Sequence, residues 1–190
     1  MDGSQSLLPA ETRRRRFTAT DVQAMLDAGV IKDGEKVELI RGELIEMSPQ
    51  GPLHADITHR LSKWLRRNLP RNLDYATQCP FRLGQEDEPE PEIFIFPDGL
   101  GVNDVKGADV LLVIEVAVSS LKFDLGVKSA VYAEHGVREY WVVDPETQRT
   151  FVHLLGADGA YGSPRDVPFA DELAAPGGGR LVIADLGSKA

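Results

Sequence analysis

The sequence predicts an α/β domain: a mixed central β-sheet flanked by α-helices, preceded by an N-terminal helix and a β-hairpin. Three observations predict it. Ala108 to Asp144 reads as a buried strand, a helix and a second buried strand, since a strand covered on both faces is apolar throughout. Gly51 to Leu69 carries Leu53, Ile57, Leu61, Leu65 and Leu69 at helical spacing, which makes one apolar stripe. Short strand-like segments stand before and after these helices, an order that gives a mixed sheet with helices on its faces.

The elements follow in order. Thr20 can cap a short helix from Asp21 to Ala28, which Gly29 stops. Lys36 to Met47 reads as a hairpin whose halves, KVELIR and ELIEM, join near Gly42. The amphipathic helix from Gly51 to Leu69 is closed by Pro70. Leu73 to Leu83 supplies one or two strands, and Glu92 to Phe96 alternates Ile and Phe as a strand does. The strand around Glu115 comes next, then a helix from Asp124 to His135, a strand from Glu139 to Val143 and another from Thr150 to Leu155. Ala174 to Gly179 (AAPGGG) is a flexible turn before a last strand at Arg180 to Ala184.

Composition bounds the function. The chain has 190 residues, 42% hydrophobic and 27% charged, enough for one domain with a substantial core. That domain is expected over residues 17–190. Residues 1–16, ending in four arginines, read as a disordered, basic-ended tail. With 21 basic and 30 acidic residues the net charge is −9. This argues against a protein that coats nucleic acid by bulk electrostatics, but not against an enzyme that gathers acids around a divalent cation. The single Cys79 excludes an internal disulfide and a multi-cysteine zinc site. No apolar run approaches the ~20 residues of a membrane span and no signal peptide is evident, so a cytoplasmic location without membrane partners is expected.

One carboxylate stands out. Nearly every residue from Val110 to Val118 is apolar, yet Glu115 lies in the middle. An ionised carboxylate there costs several kcal/mol unless a metal ion or a paired lysine compensates it. The plain alternative is a Glu on the exposed face of an edge strand. Asp124, Lys128 and Tyr132 follow at intervals of four, on one helical face. Glu38 lies on the hairpin, and Glu92 closes the run Glu-Pro-Glu-Pro-Glu at the mouth of a strand. Hard cations such as magnesium take oxygen ligands, and two or three carboxylates plus water suffice. A nearby lysine can hold a phosphate or polarise an attacking water.

In order and wording these stretches resemble the Uma-two endonucleases, a bacterial branch of the restriction-endonuclease-like PD-(D/E)XK superfamily. The matching segments are VELIRGELIEMSP (Val37 to Pro49), the helix opened by His54, PEIFIF (Pro91 to Phe96), VIEVAVSS (Val113 to Ser120) and DLGVKSAVYAEHGVREYWVVDP (Asp124 to Pro145). The resemblance spans roughly Phe17 to Leu186. It implies a restriction-endonuclease-like fold and an Mg2+- or Mn2+-dependent endonuclease that hydrolyses phosphodiester bonds in DNA. Glu92 and Glu115 would hold the metal, with Glu38 as a further ligand or outer acid. Glu92 stands where the family has aspartate. The superfamily's lysine, two residues after the central acid, is Ala117 here, so the resemblance moves that role to Lys128, with Lys122 second. Asp124 is expected to cap the helix and position Lys128, with Tyr132 on the same face, and His54 to approach from the start of its helix.

DNA requires a basic surface. Arg60, Lys63 and Arg67 recur at near-helical spacing and could track phosphates; the ordinary reading is a solvated face opposite the leucines. Trp64, Trp141, His135 and His153 read as structural. A homodimer is expected. A reading of another class is a nuclease-fold relative that has lost chemistry and serves as a binding or scaffold module.

Overall fold

The computed structural model describes residues 14–187 except Asp33. The first thirteen residues of the expected tail therefore lie outside the described residues. Of its arginines, Arg14, Arg15 and Arg16 pair with Glu43, Asp21 and Glu86, and the Phe17 N–H donates to the Gly42 carbonyl (2.9 Å). The chain is thus tied to the hairpin from just before Phe17.

Helix α1 (Ala19–Asp27) starts earlier than expected. Its cap is Thr18, not Thr20. The Thr18 hydroxyl accepts from the Asp21 N–H, and the Asp21 carboxylate accepts from the Thr18 N–H (2.8 Å). This reciprocal box satisfies two donors at the helix start, and Thr20 already lies inside the helix. Strands β1 (Val37–Ile40) and β2 (Glu43–Glu46) form the hairpin. Its turn residues Arg41 and Gly42 both have positive φ (51° and 72°), as the tightest hairpin turn requires. Leu39 and Glu88 also exchange backbone hydrogen bonds (3.2 and 2.7 Å). The Pro-acidic segment therefore runs beside β1 and brings Glu90 to Glu38.

The central sheet has six strands in the order β3-β4-β5-β6-β7-β8. They are β3 (Leu73–Thr77), β4 (Ile93–Pro97), β5 (Leu112–Val116), β6 (Glu139–Asp144), β7 (Arg149–Leu154) and β8 (Arg165–Pro168). Only β5 and β6 are parallel, so the sheet is mixed as predicted. β8 and β9 (Glu172–Ala174), which pairs with the expected last strand β10 (Arg180–Val182) in a small hairpin, were not foreseen, because these short, polar strands carry almost no alternation. β10 itself is shorter than expected and passes into a 3₁₀ turn, Ile183–Gly187.

Period-two alternation sorts the strands into two cores. Ile93, Ile95, Leu112 and Ile114 face α2 (Pro52–Asn68) through Ile57, Leu61 and Leu65. Phe94, Phe96 and Val113 face Tyr132 and Tyr140 on the other side. Leu53 departs from the expected stripe and is 47% exposed. Residues four apart drift by about 40° around a helix of 3.6 residues per turn, so Leu53 has rotated out and His54 takes the inward place.

The helix expected from Asp124 to His135 is a composite. It opens as α3 (Leu121–Phe123), widens into a π turn at Asp124–Lys128 and resumes as α4 (Ser129–Glu134). The Ser129 N–H closes the widened turn on the carbonyls of Asp124 and Gly126, and side chains add to it. The Tyr140 hydroxyl donates to the Asp124 carbonyl (3.2 Å), and the Ser129 hydroxyl contacts those of Leu125 and Gly126 (both 2.8 Å). Such turns recur at functional sites.

Candidate active site

Register brings the acids together. Pairing of Ile93 with Ile114 places Glu92 beside Glu115, and the Glu92 N–H donates to Glu115 Oε2 (3.3 Å). Alternation points Glu115 to the same face as Val113, where the π turn passes. Lys128 Nζ lies 2.9 Å from Glu115 Oε1 and 2.9 Å from Glu38 Oε1, with Asp124 Oδ1 at 3.8 Å. The Tyr132 hydroxyl donates to Glu115 Oε1 (2.9 Å). Glu38 Oε1 also accepts from the Glu90 N–H (2.8 Å). Asp124 does not cap the helix, which begins three residues earlier. It sits inside the π turn, where Oδ2 accepts from the Ser120 hydroxyl (2.5 Å) and Oδ1 faces Lys128.

Glu92 belongs to a second set. His54 Nε2 stands 2.9 Å from Glu92 Oε1. Gln50 donates to the same oxygen (2.9 Å) and Gln78 to Oε2 (2.9 Å). Both sets line one cavity of about 420 Å³, together with Phe123 and Ser119.

The electrostatics are lopsided. Lys128 is 1% exposed, and Glu38, Glu115 and Asp124 are all at or below 4%. One ammonium therefore stands among three buried carboxylates, with Glu92 a fourth nearby. Burial opposes the charge on Lys128, but Glu115, Glu38 and Asp124 outweigh it and hold the ammonium protonated, well above the ordinary lysine range. Burial pushes Glu115 up to about 7 against the pull of Lys128. It raises Glu38 and Asp124 as well, again opposed by Lys128. Glu38 Oε2 and Asp124 Oδ1 are buried without a hydrogen bond. An all-oxygen donor set with surplus negative charge suits a hard divalent cation. Among the described residues, no three such side chains already surround one point at ligating distance, because Lys128 occupies the centre of one set and the amides close on the other.

A pH dependence follows for metal-free protein. A carboxyl raised in the folded state favours folding at low pH, and that contribution is lost as pH rises through its folded-state value. Moving Glu115 from 4.5 to about 7 corresponds to on the order of 3 kcal/mol. The melting temperature in chelator is expected to fall between about pH 5 and about pH 8. Glu115→Gln should flatten that fall, and an equally steep fall in the variant would refute the assignment.

The remaining candidates lie elsewhere. Arg60 pairs with Asp56 (2.8 Å), while Lys63 and Arg67 are exposed on the body of α2. Lys63 is about 13 Å along the axis from His54 at 1.5 Å per residue. Lys122 is exposed on α3 and Ala117 is buried in the aromatic core. Trp141 is buried, and Trp64 packs partly against the same core. His135 meets Asp87 (3.2 Å), and His153 is buried beside Tyr140 and Tyr161. Gln50, Gln78 and Ser120 were missed. They carry no local signal, since a lone polar residue in a loop looks the same whether or not it meets a buried acid.

No helix among the described residues is long and apolar enough to cross a membrane. No curated protein matches this chain. Solved structures do, among them a crystal structure described as "a putative nuclease" from Anabaena variabilis ATCC 29413. That match has a TM-score of 0.61 at 19% identity and covers 83% of this chain and 94% of the other; at that identity it establishes the fold. The family model described as "Putative restriction endonuclease", Uma2, matches residues 21–180, and the chain belongs to that family.

Proposed function

We propose that this protein is an endonuclease that hydrolyses phosphodiester bonds in DNA with a divalent cation, Mg2+ or Mn2+. The observation that carries the reading is the buried Lys128 among more carboxylates than it can neutralise, on the wall of an open cavity. Glu92 and Glu115 would hold the cation, with Glu38 as a further ligand or outer acid. Such a cation supplies Lewis-acid charge at the scissile phosphate and lowers the pKa of water.

The chain's own groups do the rest. An ammonium has three donors. Lys128 spends two on Glu38 and Glu115, which leaves the third for a phosphoryl oxygen entering the cavity, where charge builds up during displacement. Tyr132 fixes the rotamer of Glu115, and Asp124 adds a third negative charge 3.8 Å from the ammonium, from within the π turn. His54 holds Glu92 from the start of α2.

Binding of manganese separates this reading from a catalytically silent scaffold. A ligand that binds only the folded state stabilises it by ~2.7 kcal/mol at a hundredfold excess over its dissociation constant. The melting temperature should therefore rise with Mn2+, and a scaffold would show no rise.

DNA contact is assigned to the exposed face of α2. Changing Arg60, Lys63 and Arg67 together to Gln should weaken DNA binding and flatten its salt dependence by about two to three units of slope, roughly one per lost phosphate contact. Lys63 and Arg67 should contribute more than Arg60, which already has Asp56. An unaltered slope would mean that DNA enters by another face.

A further inference from the structure

We propose that Gln78 and Gln50 form an amide clamp that fixes the Glu92 carboxylate, with Gln78 a positioning residue of the site. The inference rests on the reading of Glu92 as a metal-binding acid. Three side chains close on one another here. The Gln78 amide donates to Glu92 Oε2 (2.9 Å) and to Gln50 Oε1 (3.0 Å), and the Gln50 amide donates to Glu92 Oε1 (2.9 Å). The amide orientations are chemically forced, because a carboxylate can only accept from an N–H. With both nitrogens turned to Glu92, the Gln50 oxygen is left facing Gln78. The cycle is self-consistent, and His54 adds a contact to Oε1.

The backbone of Gln78 supplies independent support. Among the described residues three non-glycines have left-handed φ: Arg41, Gln78 and Gln148. Arg41 and Gln148 lie in the turns of hairpins β1–β2 and β6–β7, where such φ values are ordinary. Gln78 does not. It follows β3, and its N–H reaches the carbonyls of Pro91 and Glu92 (3.1 and 3.2 Å), so its backbone extends the β3–β4 pairing to Glu92 itself. Glycine would adopt φ +47° without strain. A strained glutamine in that place points to a need for its side chain. The same residue thus grips Glu92 twice, by backbone and by amide. This leaves Glu92 facing the cavity in one rotamer.

The test uses the full-length protein. In metal-free protein, the side-chain NH2 signals of Gln50 and Gln78 should be dispersed by NMR, since both amides, though exposed, are held on Glu92. Gln78→Gly should leave the melting temperature equal to or above that of wild type and collapse the Gln50 signals towards solvent-averaged values. It should weaken Mn2+ binding by calorimetry about 10- to 100-fold, the usual effect of losing a partner that orients a ligand. Gln50→Ala, read at the Gln78 signals, gives the same information if Gln78→Gly does not fold. Unchanged amide signals in both variants would overturn the clamp, as would lost stability with intact Mn2+ affinity. Absence of Mn2+ binding by wild type would refute the metal reading instead, and the amide signals would still decide the clamp.

Discussion

Lys128→Met is expected to lower the stability of the metal-free protein by about 3–5 kcal/mol at neutral pH, the cost of leaving buried charge without its partner. Methionine fills the stem's volume, so packing changes little and the effect is electrostatic. Glu38, Glu115 and Asp124 would share a region that is almost wholly buried with no cation left among them. The sign of the pH dependence is fixed by the same geometry. Burial already raises all three carboxyls against the pull of Lys128, so without the lysine they rise further. Stability of the variant is then retained at low pH, where they are protonated, and lost as pH rises. Urea unfolding at about pH 5 and about pH 8 should show the gap to wild type widening with pH. Turnover should fall at least ~100-fold, as for loss of one well-placed charge stabiliser. Lys122→Ala should do far less, because Lys122 is exposed and meets none of the acids. Comparable losses in the two variants would end the assignment of the lysine role to Lys128.

The second large effect is that of Glu115→Gln. Three carboxylates surround one ammonium, so removing one negative charge leaves Lys128 still paired with Glu38 and near Asp124. With the glutamine oxygen in the place of Oε1, Lys128 and Tyr132 keep their acceptor (2.9 Å each), and only the longer Glu92 N–H contact (3.3 Å) is lost to the amide nitrogen. Folding is therefore expected to be unharmed, with the melting temperature unchanged or raised above neutral pH, where the carboxyl of Glu115 would otherwise be ionised. Mn2+-induced stabilisation, by contrast, should largely vanish, since a divalent cation loses a central charged ligand. A variant that melts lower yet responds fully to Mn2+ would mark Glu115 as a structural partner of Lys128 and nothing more.

Much of this was legible in the sequence because the residues involved violate local expectation. Glu115 is conspicuous inside an apolar strand, and burial on both faces of β5 makes that inference secure. The four-residue spacing of Asp124, Lys128 and Tyr132 placed them on one face, and all three do meet the acid cluster. The spacing could not show that the helix widens at Asp124–Lys128. The Tyr140 hydroxyl that also reaches the Asp124 carbonyl comes from β6, which is a tertiary matter. Thr18 and Thr20 each have a polar partner three residues on, Asp21 and Gln23, so local sequence left the start of α1 open between them. Leu53 shows the limit of counting in fours, since a true helix drifts away from that period. Glu92 was legible from its proline context, but its clamp was not. Gln50 and Gln78 are 28 residues apart in sequence; the β3–β4 pairing carries Gln78 to Glu92, while Gln50 arrives from the residues just before α2.

Metal-dependent hydrolysis at Glu115 is tested by cleavage of supercoiled plasmid DNA by the wild-type protein and by Glu115→Gln, each with Mn2+ and with chelator. Wild type should give nicked or linear product with Mn2+ and none in chelator, and Glu115→Gln should give none in either condition while it remains folded. Undiminished cleavage by Glu115→Gln, or cleavage by wild type that persists in chelator, would contradict that assignment.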